Sequence, residues 1–204
     1  MNKGSTTGFD KLVLASGNQG KLKEFAAIFA EYGIQVEPQS LYHVDDAEET
    51  GLSFVENAII KARHACQKTG LPALADDSGL EVDALDGAPG IYSARFSGAN
   101  ATDASNNEKL LAAMQGIPDD KRTARFHCVL VLMRHAADPT PLIFHGQWEG
   151  CILHAPSGLH GFGYDPLFFA TEQQQVSANL PPDIKNRVSH RGQAVAQLIR
   201  YLQG

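Results

Sequence analysis

Two adjacent carboxylates, Asp76 and Asp77, are the residues of this chain whose types and spacing best suit catalysis. They follow the short apolar run Leu74–Ala75 and precede Ser78–Gly79. A strand that ends in acids and turns on Ser-Gly places charge at the carboxyl edge of a sheet, where open α/β folds bind ligands. Neighbouring strand residues point to opposite faces, so one acid could hold a metal ion or a water molecule while the other turns into the structure. A turn rich in Asp and Ser is the alternative interpretation.

A loop near the start of the chain has the composition of an anion-binding site. It follows an apolar strand predicted at Lys11–Ala15 and leads into residues with helical spacing. This amino-terminal loop consists of Ser16, Gly17, Asn18, Gln19, Gly20 and Lys21. Its N–H groups and the helix dipole favour negative charge, although an ordinary strand-to-helix turn would look the same. It is not a Walker A loop, because the glycine spacing is too short and Leu22 replaces the Ser or Thr that holds magnesium.

An acidic loop follows at Val44–Thr50. Such a run is usually a solvated face of the molecule. Carboxylates are nevertheless the ligands that Mg²⁺ prefers, so Glu48 or Glu49 could reach a metal ion.

The segment Ser53–Lys68 is the clearest predicted helix, because Ser53 and Glu56 form a capping box. Its buried stripe is predicted to consist of Val55, Ala58, Ile59, Ala62 and Cys66, and its opposite face of Asn57, Lys61 and His64. Lys61 is either a surface lysine or a cation that faces the same cleft as Lys21.

Gly158–Asp165 is a glycine-rich loop with two aromatic residues and an acid. Its last four residues are Phe162, Gly163, Tyr164 and Asp165. Glycine permits close approach of the backbone to a flat ligand, and Phe162 could stack on a base. An aromatic corner packed into the core is the alternative.

The last helix begins next to three cations. Lys185 precedes Ser189, which can cap this helix, so His190 and Arg191 would lie in its first turn. Cations there oppose the helix dipole, which suggests that they serve a function rather than stability.

The order of the predicted elements indicates an α/β fold. The chain opens with alternating strands and helices, and Arg122–Met133 is a long strand that forms an antiparallel hairpin with Leu142–Trp148. Cys151–Leu153 could be a further short strand. We therefore expect a mixed sheet in two lobes with a cleft between them.

Composition excludes several classes of protein. The 204 residues suit one α/β domain, predicted at 11–204 after a flexible polar leader at 1–10. The formal net charge of −6 gives no basic surplus for nucleic acid. No apolar run approaches a membrane span and the leader lacks the core of a signal peptide, so we predict a cytoplasmic protein. The three scattered cysteines are predicted to be reduced core residues.

These parts together suit a nucleoside triphosphate bound with Mg²⁺. Cations and loop amides neutralise phosphates, carboxylates hold the metal, and an aromatic face takes the base. The cations are Lys21, Lys61, Lys185 and Arg191, and the carboxylates are Glu48 and Asp77.

Seven motifs, in order along most of the chain, resemble the inosine triphosphate pyrophosphatase family, also called the non-canonical purine NTP pyrophosphatases, and its bacterial members above all. They are SGNQGK at 16–21, EET at 48–50, SFVENAIIKA at 53–62, ADDSGLEVDAL at 75–85, GAPGIYSAR at 87–95, GFGYDP at 161–166 and KNRVSHRGQA at 185–194.

The resemblance implies two lobes on a long mixed β-sheet flanked by helices, with the active-site cleft between the lobes, and a homodimer. It implies Mg²⁺-dependent hydrolysis of ITP, dITP and XTP to the monophosphate and pyrophosphate. Asp77 would be the proton acceptor and a metal ligand, and Glu48 a second metal ligand. The residues implied to contact the purine nucleotide are Ser16–Lys21, Lys61, Ser78, Phe162–Asp165, Lys185, His190 and Arg191.

One residue departs from the family pattern, because Asn179 stands where many relatives have Glu. If that Glu holds a lysine or a loop, the geometry near Lys185 would differ here. Two other classes remain open: a non-catalytic purine nucleotide sensor, and a phosphohydrolase that releases orthophosphate.

Overall fold

The structure, a computed structural model, describes residues 8–204, so most of the predicted leader at 1–10 lies outside the described part. The strands are β1 Lys11–Leu14, β2 Gln35–Pro38, β3 Ala73–Val82, β4 Thr123–Met133, β5 Leu142–Ile152, β6 Phe168–Ala170 and β7 Gln175–Val176. The α-helices are α1 Gln19–Ala30, α2 Phe54–Thr69, α3 Asp103–Ala113, α4 Pro182–Val188 and α5 His190–Gln203.

The strands of the described chain form one sheet in the order β2-β1-β3-β4-β5-β6-β7. β1 is parallel to β2 and to β3, with Leu14 opposite Leu74. Parallel neighbours need crossover connections, which α1 and α2 supply. β6 is antiparallel to both β5 and β7. The predicted α/β fold on a mixed sheet is therefore confirmed.

The first of two compact units has a core of small and branched side chains. Ala58 and Ala62 of α2 pack with Val13 of β1 and Val131 of β4. Small residues on α2 allow the helix to approach the sheet closely. Among described residues this unit comprises 8–77, 129–145 and 194–204.

The second compact unit has an aromatic core. Phe126, Trp148 and Phe168 are in contact, with ring centroids of Phe126 and Phe168 4.6 Å apart. This unit comprises 78–128 and 146–193. Each unit thus has its own apolar core, as the two-lobed prediction requires.

The expectation that a strand ends at the paired acids is wrong. β3 runs without interruption from Ala73 to Val82, so Asp76 and Asp77 lie in its middle and Ser78–Gly79 is not a turn. β3 lies between β1 and β4 in the sheet, and eight of its ten residues are buried. Tertiary pairing thus overrides the local turn signal of Asp and Ser.

Helix α2 confirms its predicted caps but not all of its predicted faces. Ser53 Oγ accepts from the Glu56 N–H at 3.3 Å, and Gly70 ends the helix in the left-handed conformation. Asn57, predicted on the open face, is instead fully buried. Its side-chain oxygen accepts a hydrogen bond from the Gly51 N–H at 2.9 Å, whereas its Nδ2 atom is buried without a hydrogen-bond partner in the described chain.

The segment after β4 forms one strand rather than two. β5 extends from Leu142 through Cys151 to Ile152, where a separate short strand was expected. The Ile152 N–H donates to the Arg122 carbonyl at 2.9 Å, which pairs the end of β5 with the start of β4 as in the predicted hairpin. Within residues 8–204, no helix combines the length and apolar character needed to cross a membrane.

Candidate active site

The paired acids lie at the carboxyl end of β1 rather than at the end of their own strand. β1 stops at Leu14, opposite Leu74, and the Ala15 N–H donates to the Leu74 carbonyl at 2.8 Å. The chain then leaves the sheet into the amino-terminal loop while β3 continues through Asp76. The acids are therefore placed beside that loop, because a neighbouring parallel strand ends before they do.

Asp76 and Asp77 point to different partners, as their adjacent positions on a strand predict. The Asp76 carboxylate, whose side chain is fully buried, pairs with Lys21 in the first turn of α1. Asp77 Oδ1 accepts from Lys61 Nζ of α2 at 2.6 Å. Lys61 Nζ also lies 3.2 Å from Glu49 Oε1 in the acidic loop.

Asp77 carries the most unusual carboxylate of this site. The residue is 9% exposed, and its Oδ2 atom is buried with no hydrogen-bond partner in the described chain. Burial raises the pKa of Asp77 by more than the neighbouring Lys61 lowers it, and the charges of Glu49 and Asp76 raise it further. A carboxylate with a raised pKa and an uncommitted oxygen suits a proton acceptor or a metal ligand.

Lys61 stays charged despite its position. Burial lowers its pKa, but the carboxylates of Asp77 and Glu49 outweigh that effect, so the pKa is raised overall. Lys61 is therefore a fixed positive charge between two acids, not the surface lysine of the alternative interpretation.

The acidic loop brings Glu49 rather than Glu48 to this pair. Glu49 is half-buried on Lys61, whereas Glu48 is exposed. In residues 8–204, no three or more His, Cys, Asp or Glu side chains are already arranged so that they could hold a metal ion. Mg²⁺ commonly takes only one or two protein carboxylates and completes its shell with phosphates and water. The unpartnered oxygen of Asp77 and the adjacent acidic loop fit that pattern.

The amino-terminal loop is partly closed by its own side chains. Asn18 caps α1, and its Oδ1 atom accepts from the N–H groups of Gly20 and Lys21 at 2.9 and 3.1 Å. Ser16 Oγ accepts from the Asn18 N–H at 3.1 Å. Gly17 through Gly20 are exposed. The loop therefore presents an exposed helix start with its conformation already fixed, and two of the predicted anion-binding N–H groups donate to Asn18.

A second cluster of predicted site residues lies in the other unit, around Asp165. Asp165 is 4% exposed, and both of its oxygens have partners. Oδ1 accepts from Ser177 Oγ at 2.7 Å, while Oδ2 accepts from the Phe162 N–H at 2.9 Å and pairs with Lys185. Asp165 thus holds a loop and a lysine in place. Lys185 has this partner even though position 179 is Asn.

The two aromatic side chains of the aromatic loop, residues 161–165, lie in different environments. Tyr164 is buried, and its hydroxyl donates to the Ser93 carbonyl at 2.8 Å. Burial raises its pKa. Phe162 is 68% exposed, with Lys185 Nζ 5.3 Å from its ring centroid. Both interpretations of the sequence are realised, because Tyr164 is a core aromatic and Phe162 is an open stacking surface.

The start of α5 follows its predicted cap. Ser189 Oγ accepts from the Gly192 N–H at 3.2 Å, so His190 and Arg191 lie in the first turn. The His190 ring stacks on Phe126, with centroids 4.8 Å apart and 14° between the planes. Ser78, the remaining predicted contact, is half-buried in β3 directly after Asp77.

Sequence reasoning missed several residues that support these groups. No role was predicted for Phe126, on which His190 stacks, and the Glu49 contact was one of two possibilities. Asp103 and Asn107 of α3 both contact Gly163, a pairing that their spacing of four residues could have indicated only if the position of α3 were known.

Comparison with known proteins gives one consistent family. The model of the Ham1 family matches residues 12–201. A dITP/XTP pyrophosphatase of Vibrio cholerae is 60% identical over 193 residues, which cover 95% of this chain and 96% of that protein. A counterpart with the same name from Photobacterium profundum is 61% identical and covers 95% of this chain and 98% of that protein.

Solved structures agree with the sequence comparison. A HAM1 protein from Coxiella burnetii has a TM-score of 0.92 and 52% identity, and the match covers 96% of this chain and 99% of that one. The Staphylococcus aureus Ham1 protein has a TM-score of 0.88 and 39% identity, with coverage of 95% and 98%. Because the family model spans nearly the whole chain and such relatives match it end to end, this chain belongs to the Ham1 family.

Proposed function

We propose that this chain is a nucleoside triphosphate pyrophosphatase that hydrolyses the non-canonical purine nucleotides ITP, dITP and XTP to the monophosphate and pyrophosphate, and so cleanses the nucleotide pool. The observation that carries the proposal is Asp77, a buried carboxylate with one oxygen on Lys61 and the other without a partner in the described chain. The names of the relatives support the same activity.

In the proposed reaction, water attacks the α-phosphorus and pyrophosphate leaves. Asp77 orients that water and accepts its proton, for which a raised pKa is an advantage. Lys21 and Lys61 hold the phosphates, since phosphoryl transfer depends mainly on positioning and electrostatic stabilisation. The exposed start of α1 adds a favourable dipole.

Mg²⁺ is proposed as the cofactor, held by Asp77 together with Glu48 or Glu49 of the acidic loop. When bound, it would stabilise the negative charge that develops on the phosphate oxygens. The support for it is the donor set: an unpartnered carboxylate oxygen on Asp77, next to the acidic loop that carries Glu48 and Glu49.

Recognition of the base is proposed for the second cluster. The open face of Phe162 suits stacking on a purine. Hypoxanthine and xanthine carry a carbonyl at the 6-position where adenine carries an amine, so the donors His190 and Arg191 would favour them over adenine. Lys185, held by Asp165, adds a positive charge beside Phe162.

The test is a panel of ITP, dITP, XTP, GTP and ATP with Mg²⁺, in which the products are identified by ³¹P NMR. We expect pyrophosphate and a monophosphate, with kcat/KM for the first three nucleotides about 100-fold or more above that for ATP. Release of orthophosphate would identify a different phosphohydrolase. Binding without turnover of any nucleotide would identify a sensor, and equal kcat/KM for all five would contradict the proposed selectivity.

A homodimer and a cytoplasmic location are part of the same proposal. Several large apolar side chains, including Leu41 and Ile143, are at least 46% exposed and would be covered in an assembly. Light scattering behind a sizing column tests the dimer. We expect twice the chain mass of 22.0 kDa, and a monomer at micromolar concentration would contradict it.

A further inference from the structure

The aromatic loop is held from outside by two residues of α3 that neither the sequence motifs nor the proposed chemistry use. Gly163 N–H donates to Asp103 Oδ2 at 2.6 Å, and the Gly163 carbonyl accepts from Asn107 Nδ2 at 2.8 Å. Asp103 and Asn107 are four residues apart and thus lie one turn apart on one face of the helix. Both backbone groups of a single loop residue are therefore fixed by one helix.

The hydrogen bonds with α3 add to hydrogen bonds within the aromatic loop. Together they fix the loop backbone, while one of the two aromatic rings remains exposed. The Phe162 N–H donates to Asp165, and the Phe162 carbonyl accepts from the Asp165 N–H at 3.2 Å. Gly163 has a φ of +58°, a conformation that glycine adopts without strain. The Phe162 ring nevertheless remains 68% exposed. Such an arrangement orders a binding surface in advance, which lowers the entropy that a ligand must overcome.

The side chain of Asn107 argues against a purely stabilising role. Its Oδ1 atom is buried without a hydrogen-bond partner in the described chain. A buried acceptor that makes no hydrogen bond lowers stability, whereas an apolar residue of similar volume would avoid that cost. The group that Asn107 does contribute is its N–H donor, and that donor is directed to the aromatic loop.

We propose that Asp103 and Asn107 are a positioning pair that fixes the aromatic loop for recognition of the purine base. Neither residue needs to contact the nucleotide. They act through Gly163 on its neighbour Phe162, and so set where the open ring meets the base. This inference rests on the proposed function of the same site and adds two residues to its selectivity.

The test compares Asn107→Leu and Asp103→Ala with Asp103→Asn, which keeps an oxygen acceptor for the Gly163 N–H, and with Glu108→Gln, an exposed control on the same helix. We expect Asn107→Leu and Asp103→Ala to raise KM for ITP about threefold to tenfold, the loss of one hydrogen bond each, and to lower the preference for ITP over ATP. kcat should change little. Asp103→Asn should restore most of the preference.

Two further readouts separate positioning from stability. Amide exchange of residues 162–165 should become about tenfold faster in the first two variants, because the loop then opens more often. The Tm of Asn107→Leu should change little, because the loss of the hydrogen bond to the Gly163 carbonyl is offset by removal of a buried unpartnered oxygen.

The proposal has distinct outcomes that would overturn it. An active wild-type protein whose Asn107→Leu and Asp103→Ala variants keep the ITP preference and loop exchange of Glu108→Gln would refute the positioning pair and leave the proposed function intact. An equal loss of kcat/KM for every nucleotide together with a lower Tm would show a structural role only. Absence of pyrophosphate release by the wild-type protein would refute the proposed function itself, and the base-selecting role with it.

Discussion

At the scale of single residues, two adjacent aspartates have different roles because the strand directs them to different environments. Asp76 is enclosed and neutralised by Lys21, whereas Asp77 keeps one oxygen without a partner in the described chain. The Asp76 carboxylate is neutralised by its partner, while a buried oxygen that is not paired is energetically unfavourable unless a ligand or proton uses it. The structure therefore supplies a physical difference between two acids that residue type and spacing alone did not distinguish.

Asp77→Asn should lower kcat for ITP by at least about 100-fold, because an amide cannot accept the proton of the attacking water. KM should change far less, since Lys21 and Lys61 remain. Steady-state kinetics with quantified pyrophosphate measures both constants. Asp86→Asn is the matched control, an exposed aspartate with a φ of +50° that Asn tolerates equally well. Turnover of Asp77→Asn at the rate of this control would exclude Asp77 as the proton acceptor.

At the scale of elements, the sharp join between α4 and α5 sets the positions of Lys185 and His190. Ser189 both follows α4 and caps α5. Gly192 makes this join possible, because a Cβ atom there would come within 2.1 Å of the Asn186 carbonyl oxygen. The opposing atom belongs to the backbone and cannot turn away as a flexible side chain could.

Gly192→Ala should therefore force α4 and α5 apart, even though alanine favours helices. We expect a loss of about 1–3 kcal/mol of unfolding free energy, the usual range for overpacking, and a drop in kcat/KM for ITP as the base-recognition residues shift. Chemical denaturation and kinetics measure these effects. Ala196→Ser, an exposed change on α5, should alter neither. A stabilised Gly192→Ala variant would mean that propensity outweighs the predicted clash.

The turn between β4 and β5 depends on a single carboxylate. Asp138 accepts from the Arg134 side chain at 2.6 and 2.8 Å and from the N–H groups of Arg134 and Thr140 at 3.0 Å each. The pKa of Asp138 lies well below its usual range, mainly because the Arg134 side chain donates hydrogen bonds to it. Burial has the opposite effect but is outweighed.

Because the folded-state pKa of Asp138 is depressed, its stabilising contribution is present above the unfolded-state pKa of about 4 and disappears as the pH falls below that value. Asp138→Asn should thus be less stable than the wild-type protein at pH 7, by about 2 kcal/mol. The difference should shrink steadily from about pH 5 downward. Urea denaturation at a series of pH values measures it, and a difference that stays constant from pH 7 to pH 3 would contradict the assignment.

At the scale of the whole molecule, no strand among residues 8–204 pairs with the first part of β5 on one side, since β6 pairs only with Gly150–Ile152. Two glutamines of α5 bond to the backbone there. Gln197 exchanges hydrogen bonds with both backbone groups of His145, at 2.5 and 3.3 Å, and Gln193 accepts from the Gln147 N–H at 3.4 Å. Four helical residues span about 6 Å and two strand residues about 6.6 Å, so the spacings match.

Removal of both side chains by the double change Gln193→Ala and Gln197→Ala should expose these backbone groups to other molecules. Open strand edges promote association of sheets, so we expect faster aggregation on mild heating, followed by light scattering. Gln203→Ala, exposed at the end of the same helix, is the control. Aggregation of the double variant at the rate of the control would show that the glutamines do not protect the edge.

The sequence by itself determined those features that depend on neighbours along the chain. The caps at Ser53 and Ser189, the α/β order and the identity of the chemical groups were all readable, because capping and periodicity are local interactions. The seven motifs also indicated the family before any contact was known.

Only the tertiary structure decided where the acids lie and what surrounds them. The local signal at Ser78–Gly79 favoured a turn, but pairing within the sheet kept β3 extended, and the end of β1 rather than of β3 placed Asp77 beside the amino-terminal loop. Likewise, the burial of Asn57 and the hydrogen bond from Asn107 of α3 to Gly163 depend on residues that are distant in sequence. Such contacts depend on how whole helices and strands pack together, and the spacing of residues along the chain does not predict that packing.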